Sequence, residues 1–262
     1  MRVPRIILGV AGLLGLAVLV AVAAAAPAAD EDADAQALFR RVVDSLPGKP
    51  FVGEVVLTTG EYMKRQATIR HKRLADGNLA VLIEATSPKD VQGTRFLFID
   101  RTDQPDEQYI YVPKVGRVRR LGGSVDDQPF LGSEFKVSEF VNANPDDYMM
   151  AFTGETTIDG RKCRLVEAKK RDPAGWTYGR VVYAIDPGDL LVMRIDFFDP
   201  SDKLVKVWSL ERVEKIEGVW TPRFTRAKNL KDNLESTLEV TEISFNVDLE
   251  DSEFSRVELE LR

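Results

Sequence analysis

Cysteine and histidine are almost missing from this chain: one of each, Cys163 and His71, among 262 residues. A single cysteine excludes a disulfide framework within the chain. A zinc site built from Cys and His alone is excluded with it. A Ser-His-Asp or Cys-His enzyme would have to rest on His71. That residue lies in the basic run Arg70-His71-Lys72-Arg73, which reads as surface. Gly-x-Ser-x-Gly, His-Glu-x-x-His, a phosphate-binding glycine loop and Cys-x-x-Cys are also missing. The expectation is a non-enzyme without metal, cofactor or catalytic residues. Cys163 sits in the strand-like Arg161–Val166 and reads as a buried structural thiol. Basic excess is lacking too, with 36 Lys and Arg against 42 Asp and Glu. An acidic chain is a poor ligand for nucleic acid, and net charge does not draw it to anionic lipid.

The one long apolar run is at the start. Arg2 and Arg5 precede the apolar stretch Ile6–Val22, and small residues follow through Ala26-Pro27-Ala28. A basic end, an apolar centre and a small-residue exit make a secretory signal peptide, with cleavage expected near Ala28. The alternative is a retained anchor, since about twenty apolar residues can span a bilayer. No cysteine stands near the exit, so lipid attachment there is excluded. Loss of Arg2 and Arg5 takes the formal charge from −6 to −8. The expected organisation is a leader over 1–28 and one exported domain over 29–262.

One helix opens the remainder. Ala35, Leu38, Phe39, Val42, Val43 and Leu46 recur at three- and four-residue spacing and share a face. Asp30, Glu31, Asp32 and Asp34 crowd its start, where they complement the helix dipole, and Pro47-Gly48 ends it. After Pro50 the pattern is one of strands: 51–57, 66–70, 79–85, 94–100 and 108–112, then 148–152, 163–168, 178–185, 190–198, 204–213, 220–227 and 236–245. Thr59-Gly60-Glu61, Asp159-Gly160, Pro187-Gly188 and Glu217-Gly218 mark turns. Such short connections leave no room for helical crossovers, so the pairing is mostly antiparallel. Between Gly122 and Asp147 the rhythm breaks into short helical turns carrying Phe130, Leu131, Phe135 and Phe140. In Leu190–Phe198 both alternating faces are apolar, which predicts that something apolar covers, or fills, parts of both faces of the sheet. The carboxylate pairs Asp126-Asp127 and Asp146-Asp147 lie in loops; neighbours point apart, which argues against a glycosidase-type pair. Trp176, Trp208 and Trp220 read as core or rim.

Several segments together resemble a known family. They are Tyr111-Val112-Pro113, Arg117–Leu121, Phe130–Phe135 with Ser138-Glu139-Phe140, Trp176–Val182 and Arg194–Asp199 running to Leu204-Val205-Lys206. This series is similar to bacterial outer-membrane lipoprotein-sorting proteins, which are LolA/LolB-like carriers and include members associated with RND/MMPL-type transporters. Glu134 and Lys136–Phe140 depart from the family's usual wording but keep its charge and apolar character. The resemblance implies a mainly β fold, a strongly curved antiparallel sheet forming a half-open barrel closed by an N-terminal helix and a central helical lid. It also implies an apolar cavity that shields acyl chains, whose exposure costs about 0.8 kcal/mol per methylene.

On that reading Phe130, Leu131, Phe135, Phe140 and Tyr111 are cavity or lid candidates; core packing is the other reading of the first three. Arg117, Arg119 and Arg120 are candidates for a headgroup or a partner, or form a solvated strand, with Arg117 and Arg119 on one side and Arg120 on the other. The function implied is a periplasmic lipid or lipoprotein carrier. The partners implied are a lipid or acylated lipoprotein cargo and an inner-membrane RND/MMPL-type transporter, with no nucleic acid and a monomer favoured. The rivals are an accessory module that docks on such a transporter and uses the barrel as scaffold, and a lipid hydrolase, which the missing nucleophile motif disfavours.

Overall fold

The structure, a computed structural model, describes residues 29–45, 49–101, 106–121, 128–140, 145–173 and 176–261. The leader, Leu46, Pro47-Gly48 and Asp126-Asp127 lie outside the described residues. No helix among the described residues is long and apolar enough to cross a membrane.

Thirteen strands form one antiparallel sheet: β1 Phe51–Thr59, β2 Met63–Arg73, β3 Leu79–Ser87, β4 Arg95–Asp100, β5 Glu107–Val112, β6 Arg117–Arg120, β7 Tyr148–Ile158, β8 Arg161–Lys170, β9 Arg180–Asp186, β10 Leu191–Phe198, β11 Leu204–Ile216, β12 Val219–Asn229 and β13 Leu234–Phe245. Their order is β6-β5-β4-β3-β2-β1-β13-β12-β11-β10-β9-β8-β7. Two meanders thus meet where β1 pairs with β13, and β6 and β7 are left as the edges. The sequence dictates most of this. Asp159-Gly160 and Glu217-Gly218 both take positive φ, the backbone of the tight turns whose twist matches a hairpin. Short connections place alternate turns at opposite rims. One rim carries the turns at 60–62, 88–94, 113–116, 199–203 and 230–233; the other carries those at 74–78, 159–160, 187–190 and 217–218.

The two faces of the sheet are covered differently. Helix α1, Ala29–Ser45, packs against β7 and buries Ala35, Leu38, Phe39, Val42 and Val43, the face that its spacing predicts. Phe39 meets Tyr183 of β9 edge-on at 4.9 Å. This face also receives the segment 128–140 and forms the large core cluster. Among the described residues a second layer covers the opposite face over β3–β6. There a 3-10 turn, Asp251–Phe254, and helix α3, Arg256–Leu261, bury Leu249, Phe254 and Leu259 against Ala80, Leu82, Leu97, Ile99 and Val118. Arg95, itself buried, donates to the Leu259 carbonyl at 2.7 Å and fastens the strap.

Two expectations are corrected here. A second packed layer lies over β3 and β4, not over Leu190–Phe198, although β9 is also buried at consecutive positions from Val181 to Ile185. The second face of β10 carries Arg194 and Asp196, which pair with each other, and Phe198, which lies under the Arg180 guanidinium at 3.5 Å. Its apolar ring is covered by a neighbouring side chain instead of a second layer. His71 is buried, not a surface residue. The run 70–73 is a strand, so alternate side chains face opposite ways. Arg70 and Lys72 point to the strap and pair with Glu253 and Asp251, while His71 enters the large core and stacks on Phe51 at 4.7 Å.

Candidate functional site: the segment across the concave face

The segment 128–140 folds back on itself. The Phe130 N–H donates to the Phe135 carbonyl at 2.7 Å, closing a 3-10 turn over Phe130–Gly132 before the short helix α2, Val137–Phe140. Leu131 and Gly132 both have positive φ, 48° and 71°. For Leu131 this is a strained conformation that only a well-packed site holds. Its effect is to turn Phe130 and Leu131 into the sheet, where both are buried.

Contacts of this segment span the sheet. Phe130 lies 5.1 Å from Phe96 of β4, and Phe135 meets Trp208 of β11 edge-on at 4.9 Å. Those strands stand six places apart in the order, about 29 Å on a flat sheet at ordinary spacing. Side chains rising from a flat sheet would not converge on one short turn, so the sheet curls round it. From Trp208 the rings continue through Phe197, Tyr178 and Trp176 to Tyr148 of β7, at centroid separations between 4.8 and 6.3 Å. The concave side is an aromatic and aliphatic lining with the segment laid over it.

Few polar anchors hold the segment down. Glu134 accepts from the Asn229 amide at 2.8 Å, and its own N–H donates to Ser236 Oγ at 2.9 Å. Lys206 donates from Nζ to the Glu134 carbonyl at 2.6 Å and to Glu139 Oε1 at 2.8 Å. Tyr178 donates its hydroxyl to the same Glu139 oxygen. The Lys206 and Glu139 side chains are both buried. Gly132 sits against Arg65 of β2; a Cβ there would stand 3.0 Å from a guanidinium nitrogen. Arg65 also lies 3.6 Å from Asp90.

Apart from the Lys206–Glu139 pair, burial holds His71, Tyr148 and Tyr183 uncharged near neutrality. Burial lowers the His71 pKa to about 4, opposed by a hydrogen bond with the Lys49 backbone and helped by the nearby Arg73 charge. Burial raises Tyr148 to about 12 and Tyr183 further. Among the described residues no group of three His, Cys, Asp or Glu side chains is placed to hold a metal.

The candidates read from the sequence separate into three groups. Phe130, Leu131 and Phe135 come together under the concave face; Phe140 ends α2, and its side chain lies outside the described ones. Tyr111 does not join them. It packs on the outer cluster beneath the C-terminal strap, with the Arg95 guanidinium over its ring at 5.0 Å. Arg117, Arg119 and Arg120 are exposed on the edge strand β6. Pairing sets Arg119 beside Ile110 and Arg117 beside Val112 on the concave side, with Arg120 beside Tyr109 on the other. Lys206 and Tyr178 lie within segments that carried the resemblance, yet nothing in the sequence assigned them a role. Neither local pattern marks a residue that pairs across 67 or 39 positions of chain.

Solved structures share this architecture. A DUF1329 family protein from Desulfovibrio piger is 26% identical over 87% of this chain and 99% of that chain, with a TM-score of 0.81. An outer membrane lipoprotein-sorting protein domain from Vibrio parahaemolyticus is 19% identical over 89% of this chain and 100% of that chain, with a TM-score of 0.79. A LolA superfamily protein from Nitrosomonas europaea is 20% identical over 84% and 97%, with a TM-score of 0.64. No curated protein matches the chain. A family model described as "Uncharacterized protein" matches residues 77–261. With well over half of its length inside that model, the chain belongs to that family, and its fold is LolA-like: mostly β, with the open, curved antiparallel sheet seen in the lipoprotein-sorting domain.

Proposed function

We propose that the protein is a periplasmic carrier of a lipid or an acylated lipoprotein, binding without covalent chemistry. The observation that supports this most is the way segment 128–140 lies over the apolar lining. Its aromatic side chains occupy the concave face, and its fastening is a handful of hydrogen bonds and one buried ion pair. Acyl chains would take the place of Phe130, Leu131 and Phe135 by lifting that segment, exchanging one apolar contact for another at little cost in exposed surface. In this reading the segment is the lid and α1 closes the barrel beside β7. Arg117 and Arg119 are available to a phosphate or carboxylate headgroup at the concave edge, and Tyr111 and Arg120 take no part. Residues 1–28 act as the export leader, and 29–262 as the single carrier domain. Loading and unloading fall to membrane machinery, of which an RND/MMPL-type transporter is the candidate.

One observation favours the scaffold reading: the lid aromatics already fill the face they cover, with Phe135 wholly buried. The two readings part on uptake. The full chain, exported by its own leader and purified from the periplasm, is examined by native mass spectrometry without detergent and then titrated with a fluorescent fatty acid. A discrete added mass that extracts into organic solvent, or saturable uptake that quenches Trp208, supports the carrier. A bare protein that takes up nothing overturns it in favour of the scaffold.

A further inference from the structure

Large apolar side chains are exposed on only two parts of the described molecule: the outer surface of α3, and one rim of the sheet. The rim residues are Tyr62, Val115, Met149, Leu230 and Leu234, and all stand at the end of the barrel crossed by segment 128–140. Among the described residues the turns of the opposite rim expose no large apolar side chain. Scattered surface apolar residues need no explanation; a one-ended distribution does.

Three of them form one patch. Tyr62, 91% exposed, tips the β1–β2 hairpin; Leu230 and Leu234, 39% and 46% exposed, flank the β12–β13 turn. The two tips are tied together, since the Gly60 N–H donates to the Glu235 carbonyl at 3.0 Å and the Thr59 and Ser236 hydroxyls bond at 2.8 Å. Ser236 also holds Glu134, so the patch adjoins an anchor of the crossing segment. Charge around the patch is sorted. Most acidic residues at these turns are used internally: Asp90 by Arg65, Asp199 by its own turn and Lys231, Asp202 by Arg180 and Asp232 by Asn229, while Glu61, beside Tyr62, is exposed and forms no ion pair among the described residues. Lys64, Lys89 and Lys114 are exposed on the same rim and form no ion pair among the described residues.

We infer that this rim is a membrane-docking surface, in which Tyr62, Leu230 and Leu234 enter the headgroup layer of a bilayer and Lys64, Lys89 and Lys114 face lipid phosphates. Apolar tips that protrude from separate turns fit a fluid interface better than a shaped protein pocket, and an aromatic residue with a polar end suits the headgroup region. The inference deepens the carrier reading and rests on it, because docking by this rim sets segment 128–140, which crosses that end, against the lipid.

Flotation of the full exported protein with vesicles of phosphatidylcholine, with and without phosphatidylglycerol, tests it. The wild type is expected to float with both, more strongly with the anionic lipid. Tyr62→Ser/Leu230→Ser/Leu234→Ser is expected to weaken binding about tenfold or more, while its unfolding midpoint and its uptake of fluorescent fatty acid stay at wild-type values. Removing exposed side chains leaves the core intact, so a lost fold is distinguishable by the unfolding curve. A wild type that floats with neither vesicle, or a triple variant that floats like the wild type, overturns the docking surface even if fatty-acid uptake upholds the carrier. Rim variants that abolish crosslinking to a membrane protein, when the wild type ignores lipid, would assign the rim to a protein partner and overturn it equally.

Discussion

Lys206 of β11 donates to Glu139 of α2 at 2.8 Å, with both side chains buried and the Tyr178 hydroxyl on the same carboxylate. Removing one partner of such a pair strands a charge in the core, a loss of about 3–5 kcal/mol, whereas an apolar pair of similar volume is often nearly neutral. Lys206→Met alone is therefore expected to lower the urea midpoint strongly, and Lys206→Met with Glu139→Leu to regain most of the loss. Urea curves for the two single variants and the double variant measure the coupling. Additive losses would show that the pair does not fasten the segment to the sheet.

His71 makes stability fall in mild acid. Its pKa is about 4 in the fold against 6.5 for a free imidazole. The unfolded chain therefore takes up the proton first. The stabilisation is complete above pH 6.5 and drains away as pH falls towards 4, amounting to about 3 kcal/mol at the limit. Unfolding free energies at pH 7 and 4.5 are expected to differ more for the wild type than for His71→Phe, which keeps a ring on Phe51 and carries no titratable group. Equal pH slopes for the two proteins would refute this.

Cys163 is expected to resist thiol reagents while the protein is folded. It is buried in β8, and burial pushes its thiol up to about 11, so little thiolate forms near neutrality. Reaction with an aromatic disulfide reagent should be slow in buffer and rapid in denaturing urea. A fast native reaction would mean that β8 opens far more readily than its pairing suggests.

Gly179 packs where no side chain fits. A Cβ there would lie 2.7 Å from the Asp199 carbonyl oxygen and 2.9 Å from Pro200 Cα, both backbone atoms. Gly179 also donates its N–H to the Phe198 carbonyl at 2.8 Å, so it cannot simply retreat. Gly179→Ala is expected to cost about 1–3 kcal/mol, read as a lowered thermal midpoint. Because Tyr178 precedes it, the same variant should loosen the Tyr178 contact with Glu139.

The elements were largely legible in the chain because their signals are local. The 3.6 period from Ala35 to Val43 names the buried face of α1, and Glu217-Gly218 names its turn, from a few adjacent residues. The strap over β3–β6 was not legible: Arg256–Leu261 is one short amphipathic turn that packs on strands more than a hundred positions away. The candidate site was half legible. Phe130, Leu131 and Phe135 stood out as apolar residues in a polar, turn-rich stretch, while Lys206 and Tyr178 looked like ordinary strand residues.

The sequence alone determined the list of elements, their antiparallel succession and the two sides of each strand, since alternation and turn chemistry act over a few residues. Only the tertiary structure decided what lies over each side. Alternation placed Tyr111 and Ile110 on opposite faces without saying which faces the curl, and it could not say that His71 is enclosed while Arg117 is exposed. Burial depends on which distant segment packs over a face, and the desolvation that sets a group's charge follows that packing, not its neighbours in the chain.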